Sequence, residues 1–135
     1  MKVILDCNII VTSLSSRSKY FLIFSSLFEE KFQLLISSEI ILEYEEIVQK
    51  KFGERVAKDF IITLSTLENV KFVEPSFRWN LIYEDPDDNK YTDCYLAGSA
   101  DFLVTEDKHF GVLTQTNFPA INVVKIAEFL DLLKR

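Results

Sequence analysis

The chain is predicted to be an α/β domain, a three-layer α/β/α sandwich around a central, mostly parallel sheet of four to five strands. Three observations predict it. Four short, largely apolar runs, KVIL (2–5), QLLI (33–36), FLVT (102–105) and INVV (121–124), have the length and character of strands buried on both faces. Segments with apolar residues at helical spacing alternate with them, which implies parallel pairing through helical crossovers. No linker, repeat or low-complexity stretch interrupts the 135 residues, so residues 1–135 are expected to form one domain.

Each element has its own signal. KVIL is closed by Asp6, and residues 18–30 (SKYFLIFSSLFEE) carry apolar side chains at 21, 24, 27 and 28, one face of a helix. After QLLI, Ser37-Ser38 offers an N-cap to EIILEYEEIVQKKF, where 40, 41, 44, 47 and 48 recur on one side and Gly53 ends the helix. Residues 54–67 read as another amphipathic helix and 71–73 as a further strand. Residues 75–89 are the one loop-like stretch, closing on Asp85-Pro86-Asp87-Asp88-Asn89. A helix to about Ala100 follows, then FLVT, ending at Glu106-Asp107. INVV and the helix KIAEFLDLLKR, with a cationic end that suits its dipole, complete the chain.

Composition removes several function classes. Hydrophobic residues make up 48% and the net charge is only −6, which excludes disorder. A sequence pI of about 4.8 excludes a strongly basic nucleic-acid surface. The glycines, Gly53, Gly98 and Gly111, lie too far apart for a dinucleotide-binding or P-loop cradle. Two cysteines, Cys7 and Cys94, fit a reduced compartment. The start, MKVILDCNII, is too polar for a signal peptide or a span, so no membrane association and a cytoplasmic location are expected.

In open parallel sheets the site lies beyond the carboxyl ends of the strands. Asp6 ends the first strand, with Asn8 two residues on. Asp107 follows FLVT, and Asp88 sits where the preceding helix begins, at the same rim. Taken singly, each Asp also reads as a turn residue or a helix cap. Gathered together, such carboxylates repel one another unless a cation joins them, and hard oxygen ligands suit Mg²⁺ or Mn²⁺.

The segments VILDCNIIV, SSEIILEYEEIV and DPDDNKYTDCYLAGSADFLVTEDKHF, in that order and spacing, resemble the PIN domain family over roughly residues 2–125. The most specific part is the pairing of L-D-x-N at the first strand with A-D-F-L-V-T-E-D near the end. The family comprises single-domain ribonucleases common as toxins of toxin–antitoxin pairs. The resemblance implies that Asp6, Glu43, Asp88 and Asp107 are the catalytic, metal-holding carboxylates. It implies that Asn8 supports Asp6 and that Thr105 orients the last loop. Asp93, in D-C-Y-L-A, is an alternative third ligand. By itself, Glu43 would read as part of a solvated face with Glu39, Glu45 and Glu46.

The activity implied is Mg²⁺- or Mn²⁺-dependent hydrolysis of RNA phosphodiesters, with a cognate antitoxin as partner and dimerisation common in the family. The only histidine, His109, is expected on a surface turn. For the RNA backbone the candidate cations are Arg17 and Lys19 near the rim, while Lys50, Lys51, Arg55 and Lys58 read equally well as solvated helix ends. Phe21, Phe24 and Phe28 read as core residues, with partner-binding surface as the alternative. Rival readings fare less well. An EF-hand loop over D-x-D-x-N at 85, 87 and 89 meets Lys90 where glycine is needed and Leu96 where Glu is needed. A haloacid-dehalogenase-type phosphohydrolase wants Asp where Asn8 stands. A receiver domain wants Asp after the middle strand, where the chain has Glu74-Pro75. A non-catalytic PIN module binding RNA or protein leaves the four acidic residues without a purpose.

Overall fold

The computed structural model describes residues 1–82, 85–115 and 117–135. Its elements are β1 (Lys2–Leu5), α1 (Cys7–Ser13), α2 (Phe21–Phe28), β2 (Gln33–Ile36), α3 (Ser38–Phe52), α4 (Glu54–Thr66), β3 (Val70–Phe72), α5 (Asn89–Ala97), β4 (Phe102–Val104), β5 (Val123–Val124) and α6 (Ile126–Leu133). Short 3-10 segments precede α5 (Pro86–Asp88) and follow β4 (Lys108–Gln115).

All five strands pair in parallel, in the order β3-β2-β1-β4-β5. The chain therefore starts in the middle, winds outward to β3, then crosses back to β4. α1 packs on α2 and α3, and α3 on α4, whereas α5, on the connection that returns the other way, packs against β1, β2 and β4. β1 and β4 are neighbours whose connections leave in opposite directions. That is the switch point, where the loops part and leave a crevice.

The central strands explain why periodicity was so weak there. Val3, Ile4, Leu5, Leu34, Leu35, Ile36, Leu103 and Val104 are all buried, as a sheet covered on both faces requires. Ser37 caps α3 by accepting from the Ile40 N–H at 3.3 Å, and Gly53 closes it at φ +97°, a conformation that a side chain disfavours.

Several segments differ from the sequence-based expectation: INVV contributes only Val123–Val124 to β5, the helix expected to about Ala100 ends at Ala97, and Lys108–Gln115 is a 3-10 segment. Residues 7–13 form a helix not anticipated, because CNIIVTS continues the apolar run of β1 and α1 is buried along most of its length. The 18–30 helix is shorter, Phe21–Phe28, with Phe24 stacked edge-on against Phe28 and packed against Phe60 of α4. The expected 75–89 loop is present as far as described, with residues 83 and 84 outside the described residues. Cys7 and Cys94 are free and buried. Among the described residues, no helix is long and apolar enough to cross a membrane.

Candidate metal centre

The rim is built from the carboxyl ends of β1 and β4. Asp6 leaves β1 in an extended conformation, its N–H donating to the Val104 carbonyl at 3.1 Å. Its own carbonyl receives the Ile9 and Ile10 N–H groups, so α1 starts at once and the carboxylate is trapped between two strands, 3% exposed. Thr105 Oγ1 donates to Asp6 Oδ2 at 2.8 Å and accepts from the Asp107 N–H at 3.0 Å. One hydroxyl thus ties the end of β1 to the loop after β4.

Glu43 reaches this point from α3. Its neighbour Tyr44 is fully buried and donates to the Leu5 carbonyl, which fixes the helix over the end of β1. Two residues of the first turn of α5 hold the Glu43 carboxylate. Lys90 Nζ donates to Oε2 at 2.9 Å and the Tyr91 hydroxyl donates to Oε1. The same Tyr91 oxygen accepts from the Cys7 N–H at 3.2 Å. Asp88 ends the 3-10 turn before α5. Asn89 pins that turn by bonding both the N–H (2.8 Å) and the carbonyl (3.1 Å) of Ile82.

The described residues thereby form two acidic groups, each with ligand atoms within 4.8 Å of one another. One comprises Asp6, Cys7 and Glu43, the other Asp85, Asp88, Asp107 and His109. Electrostatics joins them. Burial raises the Asp6 pKa above the usual carboxylate range, opposed by the Thr105 hydrogen bond and reinforced by Glu43 and Asp107. Burial also lifts Asp88, with Asp85, Asp6, Asp107 and Glu43 adding repulsion, to about 7. Glu43 goes the other way: burial would raise it, but Tyr91 and Lys90 outweigh that and hold it low. Burial keeps the Cys7 thiol protonated far above neutrality, leaving the oxygens as the ligands.

The residues fit a hard divalent cation. Asp88 Oδ2 is buried without a hydrogen-bond partner, which a native fold tolerates only where something else satisfies it. Four carboxylates at one rim leave a deficit of positive charge that Lys90 alone does not offset.

Of the residues expected from sequence, Asp6 meets Glu43 and Thr105 in the first group, and Asp88 meets Asp107 in the second. Asp93 does not join them: it is buried lower on α5, its Oδ1 accepting from the Trp79 N–H at 3.0 Å. Asn8 has its side chain exposed on α1, with no hydrogen bond to Asp6 among the described residues. Arg17 and Lys19 are exposed between α1 and α2, with Lys19 Nζ 5.0 Å from the Tyr20 ring centre. His109, expected on a surface turn, is half-buried beside Asp107 on the 3-10 segment, its N–H donating to Asp107 Oδ1 at 2.8 Å. Asp85, Lys90 and Tyr91 were not anticipated at the site. The only signal for them was adjacency to Asp88.

A parallel α/β domain with an acidic crevice at its switch point is the class of protein that fold and site define. The family model described as PIN domain matches residues 2–109, and the chain belongs to the PIN domain family, whose members are generally metal-using nucleases. Among curated proteins, no sequence matches it. Three solved structures share the fold over nearly their whole length. VapBC-1 from nontypeable Haemophilus influenzae has a TM-score of 0.62 at 19% identity, covering 94% of this chain and 99% of that one. DNA-bound VapBC from Salmonella typhimurium gives 0.61 at 12% identity, covering 93% and 98%. VapBC2 from Rickettsia felis, bound to a DNA fragment from its promoter, gives 0.60 at 16% identity, also covering 93% and 98%.

Proposed function

We propose that this PIN domain is an Mg²⁺- or Mn²⁺-dependent endoribonuclease and the toxin of a toxin–antitoxin pair. The observation that carries the nuclease reading is a pair of electrostatically coupled acidic groups, Asp6 with Glu43 and Asp88 with Asp107, with an unpartnered buried oxygen on Asp88. These four carboxylates would hold the cation. When bound, it supplies the Lewis acid that polarises the phosphodiester and acidifies the attacking water.

The chain's own residues divide the remaining work. Both Glu43 oxygens are engaged, by Tyr91 and Lys90, so Glu43 serves as a fixed ligand. Asp88 Oδ2 has no such engagement and is the oxygen left free for the cation. Thr105 keeps Asp6 and the Asp107 loop in register. The similarity to structures named VapBC supports a cognate antitoxin as partner.

Cleavage of RNA by the wild type and by Asp6→Asn, each with Mg²⁺, Mn²⁺ or EDTA, tests the reading. Cleavage is expected only with metal, and to fall by roughly 10³-fold in the variant, the scale of losing a central electrostatic contact. Cleavage in EDTA, or an unaffected variant, overturns it. Inertness of both together with tight RNA binding would leave a binding module instead.

A further inference from the structure

One nitrogen side chain sits among the acids of the rim. His109, the chain's single histidine, is half-buried on the 3-10 segment Lys108–Gln115, with Lys108 exposed before it and Phe110 fully buried after it. The burial of Phe110 fixes this turn. Its ring packs edge-on to that of Tyr91, the residue that donates to Glu43, with centroids 6.3 Å apart, and its N–H donates to the Asp107 carbonyl at 3.3 Å. The His109 N–H donates to Asp107 Oδ1 at 2.8 Å, and Nδ1 of the ring lies 3.4 Å from the same oxygen. The imidazole is thus delivered to the rim by the packing of its neighbour.

A histidine that only fastens its loop needs to meet Asp107 alone. Here the ring shares one neighbourhood with three carboxylates, Asp85, Asp88 and Asp107, each of the four residues offering a ligand atom within 4.8 Å of the others. A separate feature of that neighbourhood calls for a cation: Asp88 is 9% exposed, and its Oδ2 is buried without a hydrogen-bond partner. The Asp6–Glu43 side is compensated from within, because Lys90 and Tyr91 take both Glu43 oxygens. The uncompensated charge and the imidazole lie together. Ligand chemistry then narrows the ion. Mg²⁺ takes oxygen ligands and keeps several waters, whereas imidazole nitrogen binds first-row transition ions. A rim of oxygens alone suits Mg²⁺ and Mn²⁺ alike; a nitrogen among the acids favours Mn²⁺.

We propose that His109 supplies a nitrogen ligand to the cation held at this rim, alongside Asp88 and Asp107, and that this nitrogen makes the centre select Mn²⁺ over Mg²⁺. The assignment rests on the metal-dependent nuclease reading above and deepens it, adding a ligand and an ion preference to the carboxylates.

Electron paramagnetic resonance of Mn²⁺ added to the untagged chain tests this without cleavage. The signal of the unbound ion gives the affinity, competition with Mg²⁺ gives the preference, and spin-echo modulation from nitrogen nuclei reports a directly bound nitrogen. With a single histidine in the chain, loss of that modulation in His109→Gln assigns it to His109. Expected are nitrogen modulation in the wild type and none in the variant, with Mn²⁺ binding about tenfold weaker and Mg²⁺ binding unchanged. A role confined to holding the loop gives another result: both ions weakened alike, with no nitrogen coupling in either protein. Bound Mn²⁺ without nitrogen coupling, or equal losses for the two ions, overturns the ligand and leaves the carboxylate nuclease standing. Nitrogen coupling to bound Mn²⁺ in a chain that cleaves no RNA removes the nuclease and keeps the ligand. No bound Mn²⁺ overturns both.

Discussion

Asp6 and Asp88 are both buried carboxylates on one rim, yet the chain surrounds them differently. Around Asp6 the protein supplies its own partners: Thr105 donates to Oδ2, and neighbouring Glu43 is neutralised by Lys90 and Tyr91. Around Asp88 it supplies more acid, Asp85 and Asp107, and leaves Oδ2 with no partner. The first half is arranged before any ligand arrives. The second half is stored repulsion, which the fold tolerates because a cation would relieve it. Preorganised ligands on one side and an unsatisfied one on the other make a site that is shaped but still binds.

The largest expected effect comes from breaking the unsatisfied half. Asp88→Asn should cut metal-dependent cleavage at least 10²-fold, since it removes a charged ligand. The same change should stabilise the metal-free protein. Asp88 titrates near 7 when folded against an ordinary 3.8, so the folded state holds its proton more tightly and stability falls as pH rises from about 4 through 7. The variant lacks this loss. Solvent screening and relaxation of the metal-free rim reduce the full shift to about 1 kcal/mol, so the variant's melting temperature in EDTA should exceed wild type by roughly 3–6 °C at pH 8 and match it near pH 4. Equal melting at pH 8 would erase the contrast between the two halves.

Breaking the preorganised half should have the opposite sign. Thr105→Val keeps the shape but leaves Asp6 Oδ2 without its donor and the Asp107 N–H without its acceptor. A loss of about 1–3 kcal/mol follows, the cost of unsatisfied buried groups. Cleavage should drop roughly tenfold, because Asp6 and the Asp107 loop lose their common tether while all four carboxylates remain. Urea unfolding and single-turnover cleavage read the two effects. A variant as stable as wild type would mean that Thr105 holds nothing.

Legibility cut across the two halves. Asp6 and Asp107 were visible as the polar ends of apolar runs, because a doubly covered sheet writes its strands as short unbroken hydrophobic blocks, and Asp88 as the start of the helix before FLVT. Glu43 was not: on its helix it is one of several acidic residues, and only α5, folding across from the other side of the sheet, brings Lys90 and Tyr91 against it. Asp85 and His109 join the site through 3-10 turns, which have no hydrophobic period to read. α1 was hidden for another reason. Burial along most of its length erases the polar face that would separate a helix from a longer strand.

The smallest effect is expected from the exposed cations after α1. Arg17 and Lys19 both face solvent, so their attraction for an RNA backbone is screened by salt. Arg17→Glu and Lys19→Glu should each weaken RNA binding about two- to threefold at low salt, with the melting temperature unchanged, and the difference should vanish near 0.5 M. Filter-binding titrations at the two salt concentrations read the difference. Unchanged binding in both charge reversals at low salt would remove Arg17 and Lys19 from the RNA surface.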